Sequence, residues 1–379
     1  AAAVVDSPAH RQLALTAAQR VLVLLKNAGP LLPLPNATAG DTVCVFGPNA
    51  NNSEAMRGDY APTPTFIVTP LQGIAARAVA AGYAVKFSQA CTDTNCTSFD
   101  PAAVALAATC RFSVVVLGLT AVGACGCPLG DAIEGECCDR ADVAMPGMQQ
   151  PLLQAIAASG TGATILVLLN AGMVDASWAD AAPSVPTILH TTYPGEYAGT
   201  ALAGALFGDF SPAARLATTW YADITTVPSM ENYTMTNRTY RYHAGPHLYP
   251  FGFGMTYTAF HYSDASAPMT IAPCQPLQVS AVVMNAGNVT SDEVAQVYVT
   301  MLNASVPVPI RQLVGFVRIA ALAPGASVNV SFTVTPRQLA VLRDGDYVEV
   351  VEPGVRVLTI GGGPPPTSMV SPAGRLAPG

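Results

Sequence analysis

A mostly parallel α/β sheet domain followed by an all-β sandwich is the fold this sequence predicts. Three observations carry that expectation. From residue 42, short continuous apolar runs alternate with helical stretches, the pattern of a parallel sheet covered by helices on both faces. From residue 270, β-branched runs alternate with turn residues and no helix intervenes, which reads as strands alone. The 379 residues also exceed what one domain usually holds.

The elements can be justified in order. Ser7 is a helix cap and Pro8 fits the first turn behind it. Apolar residues recur through Leu13, Ala17, Val21, Leu24 and Leu25, and Gly29-Pro30 stops the pattern, so residues 1–30 are expected to be a helix feeding a sheet. Runs at 43–46, 84–87, 114–117, 165–169 and 187–189 predict strands. Stretches near 70–81, 101–109, 151–159 and 199–207 predict helices. Together these define an α/β domain over 31–225. No GxGxxG follows the first run; Gly47-Pro-Asn-Ala-Asn-Asn52 takes its place, which argues against a nucleotide site. Residues 226–267, rich in Tyr, Asn, Pro and Gly, read as an ordered connection. Runs at 277–284, 294–301, 313–319, 327–334 and 355–360 then predict a sandwich of immunoglobulin or fibronectin type over 268–362. Residues 363–379, with Pro364-Pro-Pro366, are expected to be an extended tail.

Composition narrows the function. Only 11% of residues are charged, against about 25% in an ordinary domain. The formal charge of −7 argues against nucleic acid or an acidic membrane as partner. No apolar run reaches the length of about 20 residues that spans a bilayer. Sequons at Asn36, Asn51, Asn95, Asn232, Asn237, Asn288, Asn303 and Asn329 predict a secreted, extracellular glycoprotein. Nine cysteines suit an oxidising space. Cys91 and Cys96 bracket a short loop and are expected to pair. Cys125, Cys127, Cys137 and Cys138 flank an acidic loop; a zinc site is the sharper reading of that group, and disulfides suit a sequon-rich chain better. No metal and no cofactor are expected.

The chemistry concentrates in Asp131-Ala-Ile-Glu-Gly-Glu-Cys-Cys-Asp-Arg140, which follows the run Ser113-Val-Val-Val-Leu-Gly118. Open α/β sheets place their sites at the carboxyl ends of their strands. Carboxyl groups crowded there raise each other's pKa, so one that keeps its proton can donate it to a leaving group. Glu134 and Glu136 are the candidates. Asp139 and Arg140 are expected to anchor the loop. Tyr60, beside Gly58 and Asp59, either lines a substrate site with its aromatic face or packs after a tight turn. His190 reads as a core histidine, and His243, His247, Trp178 and Trp220 as structural. No Ser-His-Asp order or nucleophile elbow occurs.

Several motifs together carry a family resemblance. In the first domain these are Gly47-Pro-Asn-Ala-Asn, Gly58-Asp-Tyr, Thr69-Pro-Leu-Gln-Gly73, Ile133-Glu-Gly-Glu-Cys-Cys-Asp-Arg140 and Pro146-Gly-Met-Gln149. Tyr193-Pro-Gly-Glu-Tyr-Ala-Gly-Thr200, Leu206-Phe-Gly-Asp209 and Arg215-Leu-Ala-Thr-Thr-Trp-Tyr221 follow. The remainder are Arg238-Thr-Tyr-Arg-Tyr242, Leu248-Tyr-Pro-Phe-Gly-Phe-Gly-Met-Thr-Tyr257, Asn285-Ala-Gly-Asn288 and Gln312-Leu-Val-Gly-Phe316. The chain resembles the C-terminal portion of glycoside hydrolase family 3, in its β-xylosidase and α-L-arabinofuranosidase branch.

That resemblance implies an α/β sandwich domain and a fibronectin type III-like domain. It implies a retaining exo-glycosidase acting on xylose- or arabinose-containing glycans, with Glu134 as acid/base and Glu136 as its alternative. The nucleophilic Asp would belong to a (β/α)8 barrel that nothing here matches, and residues 1–30 would be the helix leaving that barrel. The chain alone is therefore expected to be inactive. A non-catalytic structural or carbohydrate-binding glycoprotein on the same scaffold is the alternative. The stretch Ala121-Val-Gly-Ala-Cys-Gly-Cys-Pro-Leu-Gly130 is expanded relative to the family pattern.

Overall fold

A computed structural model describes residues 4–121, 134–135, 140–160, 162–272, 274–343, 345–364 and 377–378. It divides into two units, Ala1–Ala214 and Arg215–Gly379.

The first unit is built on a six-stranded sheet. In chain order its elements are α1 (Pro8–Arg20), β1 (Val23–Asn27), β2 (Thr42–Phe46), α2 (Pro70–Ala80), β3 (Ala84–Ser88), α3 (Pro101–Ala107), β4 (Phe112–Gly118), α4 (Gln149–Ser159), β5 (Ala163–Leu169), α5 (Ser177–Ala181), β6 (Thr187–Thr191) and α6 (Ala198–Leu206). The strand order is β1-β6-β5-β4-β2-β3. β2 to β6 pair in parallel, and β1 lies antiparallel on β6. β2, β4 and β6 are buried along their whole length, as strands covered on both faces must be.

One sequence expectation fails at the start. The helix that begins at the Ser7 cap stops at Arg20, and Val23–Asn27 is a strand. Leu22, Val23, Leu24 and Leu25 are all buried. A run apolar on every side suits a strand buried on both faces, and here its backbone pairs with β6; a helix there would expose part of it.

The helices seat where their ends dictate. Thr69 and Gln72 form a reciprocal capping box ahead of α2. Asp100 accepts from the Ala102 amide ahead of α3. α2 and α6 meet backbone to backbone: a Cβ on Gly73 would lie 2.1 Å from the Gly199 carbonyl oxygen, and one on Gly199 would lie 1.9 Å from that of Thr69. Cys44 on β2 is bonded to Cys110, and Cys91 to Cys96.

The second unit opens with a tied-down connection. β7 (Trp220–Tyr221) pairs with β8 (His247–Tyr249), with the short helix α7 (Thr239–Tyr242) between them. Arg238 donates to the carbonyls of Pro228, Ser229, Asn232 and Thr234, replacing secondary structure as the organiser of that loop. The sandwich contains β9 (Phe260–Ser266), β10 (Leu277–Asn285), β11 (Ser291–Met301), β12 (Gln312–Leu322), β13 (Ser327–Val334), β14 (Val341–Leu342), β15 (Glu349–Val350) and β16 (Arg356–Gly361). A last strand, β17 (Ala377–Pro378), runs parallel to β16 within the stretch expected as a tail. The two main sheets have orders β13-β10-β9 and β12-β11-β16-β17. Alternate residues of β10 point inward, so Val279, Ala281 and Val283 meet Val297, Phe332 and Ile360 in one core. β9 lies inside the expected connection. Beneath the inner sheet face, Arg215 and Glu293 form a buried ion pair at 2.7 Å, with Tyr262 donating to the same carboxylate at 2.8 Å and Arg215 donating to the Gly362 carbonyl. Among the described residues no helix is long and apolar enough to cross a membrane.

Candidate active site

The site forms where β4, β5 and β6 end. β4 terminates in Gly118, at φ +127°, where a Cβ would lie 2.1 Å from the Leu169 carbonyl oxygen. Only glycine permits the chain to turn out of the sheet so close to β5. A buried amide network fixes that exit. Gln149 accepts from the Gly118 amide at 2.8 Å and donates to the carbonyls of Gly118 and Thr94. Asn49 donates to the Leu119 carbonyl at 3.1 Å and accepts from the Thr94 hydroxyl at 2.7 Å. Both amides are fully buried. Their motifs, Gly47-Pro-Asn-Ala-Asn and Pro146-Gly-Met-Gln149, thus hold the strand end from which the acidic loop departs.

Glu134 returns to that strand end, its amide donating to the Thr120 carbonyl at 3.1 Å. Its side chain crosses to the neighbouring strand ends. Oε1 accepts from the Ala171 amide at 2.6 Å and from the Tyr193 hydroxyl; Oε2 accepts from the Gly172 amide at 2.8 Å. Ala171 and Gly172 follow β5, and Tyr193 follows β6. Asn170, fully buried, donates to the Gly172 carbonyl at 2.7 Å and so shapes the turn that offers both amides. Gly172 leaves no room for more, since a Cβ there would lie 2.9 Å from Oε2. Burial first, and the Glu134 charge second, push the Tyr193 phenol well above the ordinary tyrosine range, so it remains a donor.

Arg140 donates to the Met173 carbonyl at 2.8 Å and to the Ala144 carbonyl at 2.5 Å. Burial draws its pKa down while the nearby Glu134 charge opposes that. Gly135, at φ +144°, brings the backbone beside Asp59: a Cβ there would lie 3.0 Å from the Asp59 Oδ2. Tyr60 is 80% exposed, so of its two readings the packed one is not the arrangement seen. Glu136, Asp139, Cys125, Cys127, Cys137 and Cys138 lie outside the described residues. Among the described residues no group of three or more His, Cys, Asp or Glu could hold a metal ion.

The other expected residues make none of these contacts. His190 is a buried residue of β6, its pKa lowered to about 4 by burial. Trp220 is buried and Trp178 half-buried. His243 and His247 share a hydrogen bond of 3.1 Å between Nδ1 and Nε2. Thr226 gives its proton to the Asp223 carbonyl, so it must accept from His243 Nε2 at 2.9 Å. His243 Nδ1 is then bare and His247 is the donor. Seven sequon asparagines are exposed: Asn36, Asn51, Asn95, Asn232, Asn288, Asn303 and Asn329. Asn237 is half-buried, its side-chain nitrogen donating to the Thr226 carbonyl. Sequence reasoning did not single out Asn49, Gln149, Asn170, Ala171, Gly172 or Tyr193 for the site; the motifs containing Asn49, Gln149 and Tyr193 were the available signal.

A mostly parallel α/β sheet with a glutamate held at its strand ends, followed by a β-sandwich, defines the class: an α/β domain joined to a fibronectin-like domain. Residues 22–257 match the glycosyl hydrolase family 3 C-terminal domain, and residues 293–363 match a fibronectin type III-like domain. The chain belongs to glycosyl hydrolase family 3. It is 36% identical over 294 residues to beta-D-xylosidase 1 of Arabidopsis thaliana, covering 75% of this chain and 35% of that protein. It is 32% identical over 402 residues to probable beta-D-xylosidase 6 of the same plant, covering 93% and 48%. A solved β-glucosidase from Erythrobacter marinus superposes with a TM-score of 0.80 at 31% identity, covering 96% of this chain and 50% of that one. A GH3 exo-β-xylosidase bound to a xylobiose aziridine probe gives 0.81 at 26% identity, covering 93% and 47%. The chain thus spans half, or less, of the length of these relatives.

Proposed function

We propose that this chain is the C-terminal part of a secreted retaining exo-glycosidase that removes terminal β-xylosyl, or α-L-arabinofuranosyl, residues from glycans. Glu134 is the acid/base, with Glu136 as its alternative. The nucleophilic Asp comes from a (β/α)8 barrel domain or partner chain, about 5–5.5 Å from the acid/base carboxyl in a retaining site. The chain by itself hydrolyses nothing well. What carries the reading is the placement of Glu134: the loop between β4 and α4 delivers one glutamate to the carboxyl ends of three adjacent strands, where three donors hold its carboxylate. The xylosidase names of the relatives support the sugar. Seven exposed sequons support secretion and glycosylation, and glycosidase-induced mass loss of the native protein tests that part.

The catalytic test uses the chain joined to its barrel. Glu134→Ala should cost about 10²–10⁴-fold on alkyl xylosides, the contribution of general acid catalysis. It should cost far less on a dinitrophenyl xyloside, whose leaving group needs no proton, and azide should restore turnover as a β-xylosyl azide. Equal losses on both substrates would remove Glu134 from the acid/base role.

A further inference from the structure

A carboxylate has about four lone-pair positions on its two oxygens. Among the described residues, Oε1 of Glu134 takes two donors, the Ala171 amide and the Tyr193 hydroxyl, whereas Oε2 takes one, the Gly172 amide. The two oxygens are therefore not equivalent. Oε1 is saturated, and the open position is on Oε2. Both amides are fixed by main chain whose turn is pinned by Asn170, and the Tyr193 phenol is held as a donor by burial. A side chain with three rotatable bonds, placed on a loop, is thereby given one orientation.

We propose that Ala171, Gly172 and Tyr193 form a three-donor clamp that makes Oε2 of Glu134 the proton-carrying oxygen, with Tyr193 as a positioning residue. The proton step rests on the acid/base reading of Glu134; the clamp does not. In the step itself, the proton leaves Oε2 for the glycosidic oxygen as the C–O bond breaks, and the electron pair of that bond goes to the departing alcohol. Oε1 keeps all its donors throughout. Protonation of Oε1 instead would displace one of its two donors, the phenol or the Ala171 amide.

Carbon-13 NMR of the full chain, with labelled tyrosine Cζ and glutamate Cδ, tests the clamp without turnover. Tyr193→Phe and Glu134→Gln assign the two resonances by their disappearance. The Tyr193 Cζ signal should move in Glu134→Gln, because its hydroxyl loses the carboxylate acceptor, and the Glu134 Cδ signal should move in Tyr193→Phe, because Oε1 loses its phenol donor. A Tyr193 signal unchanged by Glu134→Gln, or a Glu134 signal unchanged by Tyr193→Phe, overturns the clamp. If Tyr193→Phe does not fold, the Glu134→Gln comparison decides alone, the Tyr193 signal being the one tyrosine signal that moves in both Glu134→Gln and Gly172→Ala. In the barrel-containing protein, Tyr193→Phe should cost more on alkyl than on dinitrophenyl xylosides. Intact NMR coupling with no leaving-group dependence in Glu134→Ala leaves the clamp standing and removes the acid/base reading, so the two failures are told apart.

Discussion

Acidification should destabilise the first unit through His190. The imidazole is buried in β6, and burial lowers its pKa from 6.5 to about 4. The unfolded chain takes up this proton below about pH 6.5, while the folded chain refuses it until about pH 4. Between those values the unfolded state binds more protons, so stability rises with pH. The contribution is complete above pH 6.5 and is lost as pH falls toward 4. The distance from 6.5 to about 4, at about 1.4 kcal/mol per pH unit, amounts to roughly 3 kcal/mol. The two tryptophans make the assay specific, because Trp178 lies in the first unit and Trp220 in the second. In a Trp220→Phe background, urea unfolding followed by Trp178 fluorescence from about pH 7 to about pH 4.5 should show a slope that His190→Leu reduces by close to one proton. An identical slope in His190→Leu would refute the assignment.

Further outcomes follow from other contacts. Glu293→Ala strips Arg215 of its counter-charge where the two side chains are 2% and 9% exposed, and should cost about 3–5 kcal/mol in the second unit by Trp220 fluorescence. Replacing both Cys44 and Cys110 by Ser opens a loop of 66 residues and should cost about 4 kcal/mol of first-unit stability in chemical unfolding. Gly199→Ala gains about 1 kcal/mol of helix propensity but sets a Cβ 1.9 Å from the Thr69 carbonyl oxygen. The collision is with backbone, so a net loss of about 2 kcal/mol is expected, read as a lower urea midpoint.

What the sequence disclosed follows from where the information is stored. β2, β4, β5 and β6 were legible because strands covered on both faces are written as unbroken apolar runs, and α2 because Thr69, Pro70 and Gln72 announce its start. The switch from α1 to β1 was not. Val21, Leu24 and Leu25 satisfy a helical period and a buried strand equally, and only pairing with β6 decides. β9 was hidden by His261, Ser263 and Asp264, which face outward or sit at its edge. Cys91 and Cys96 pair across a separation of 5, whereas Cys44 and Cys110 are brought together by the sheet across 66. In the site, Glu134 could be named because acidic side chains are visible as letters. Its grip could not, because two of its three donors are main-chain amides, which every residue but proline possesses.

β13 ends one sheet of the second unit, and its sequence Ser327-Val-Asn-Val-Ser-Phe-Thr-Val334 contains no charge. Lysines are the usual deterrent to a stranger adding itself along such a border, and a chain with 17 Lys and Arg in 379 residues has few to spare. Asn329 stands exposed midway along that strand, within its sequon. A sugar tree rooted there would sweep the rim and keep other molecules from zipping onto it. Material produced in a host that attaches no carbohydrate should accordingly clump on concentration, while the decorated form stays dispersed.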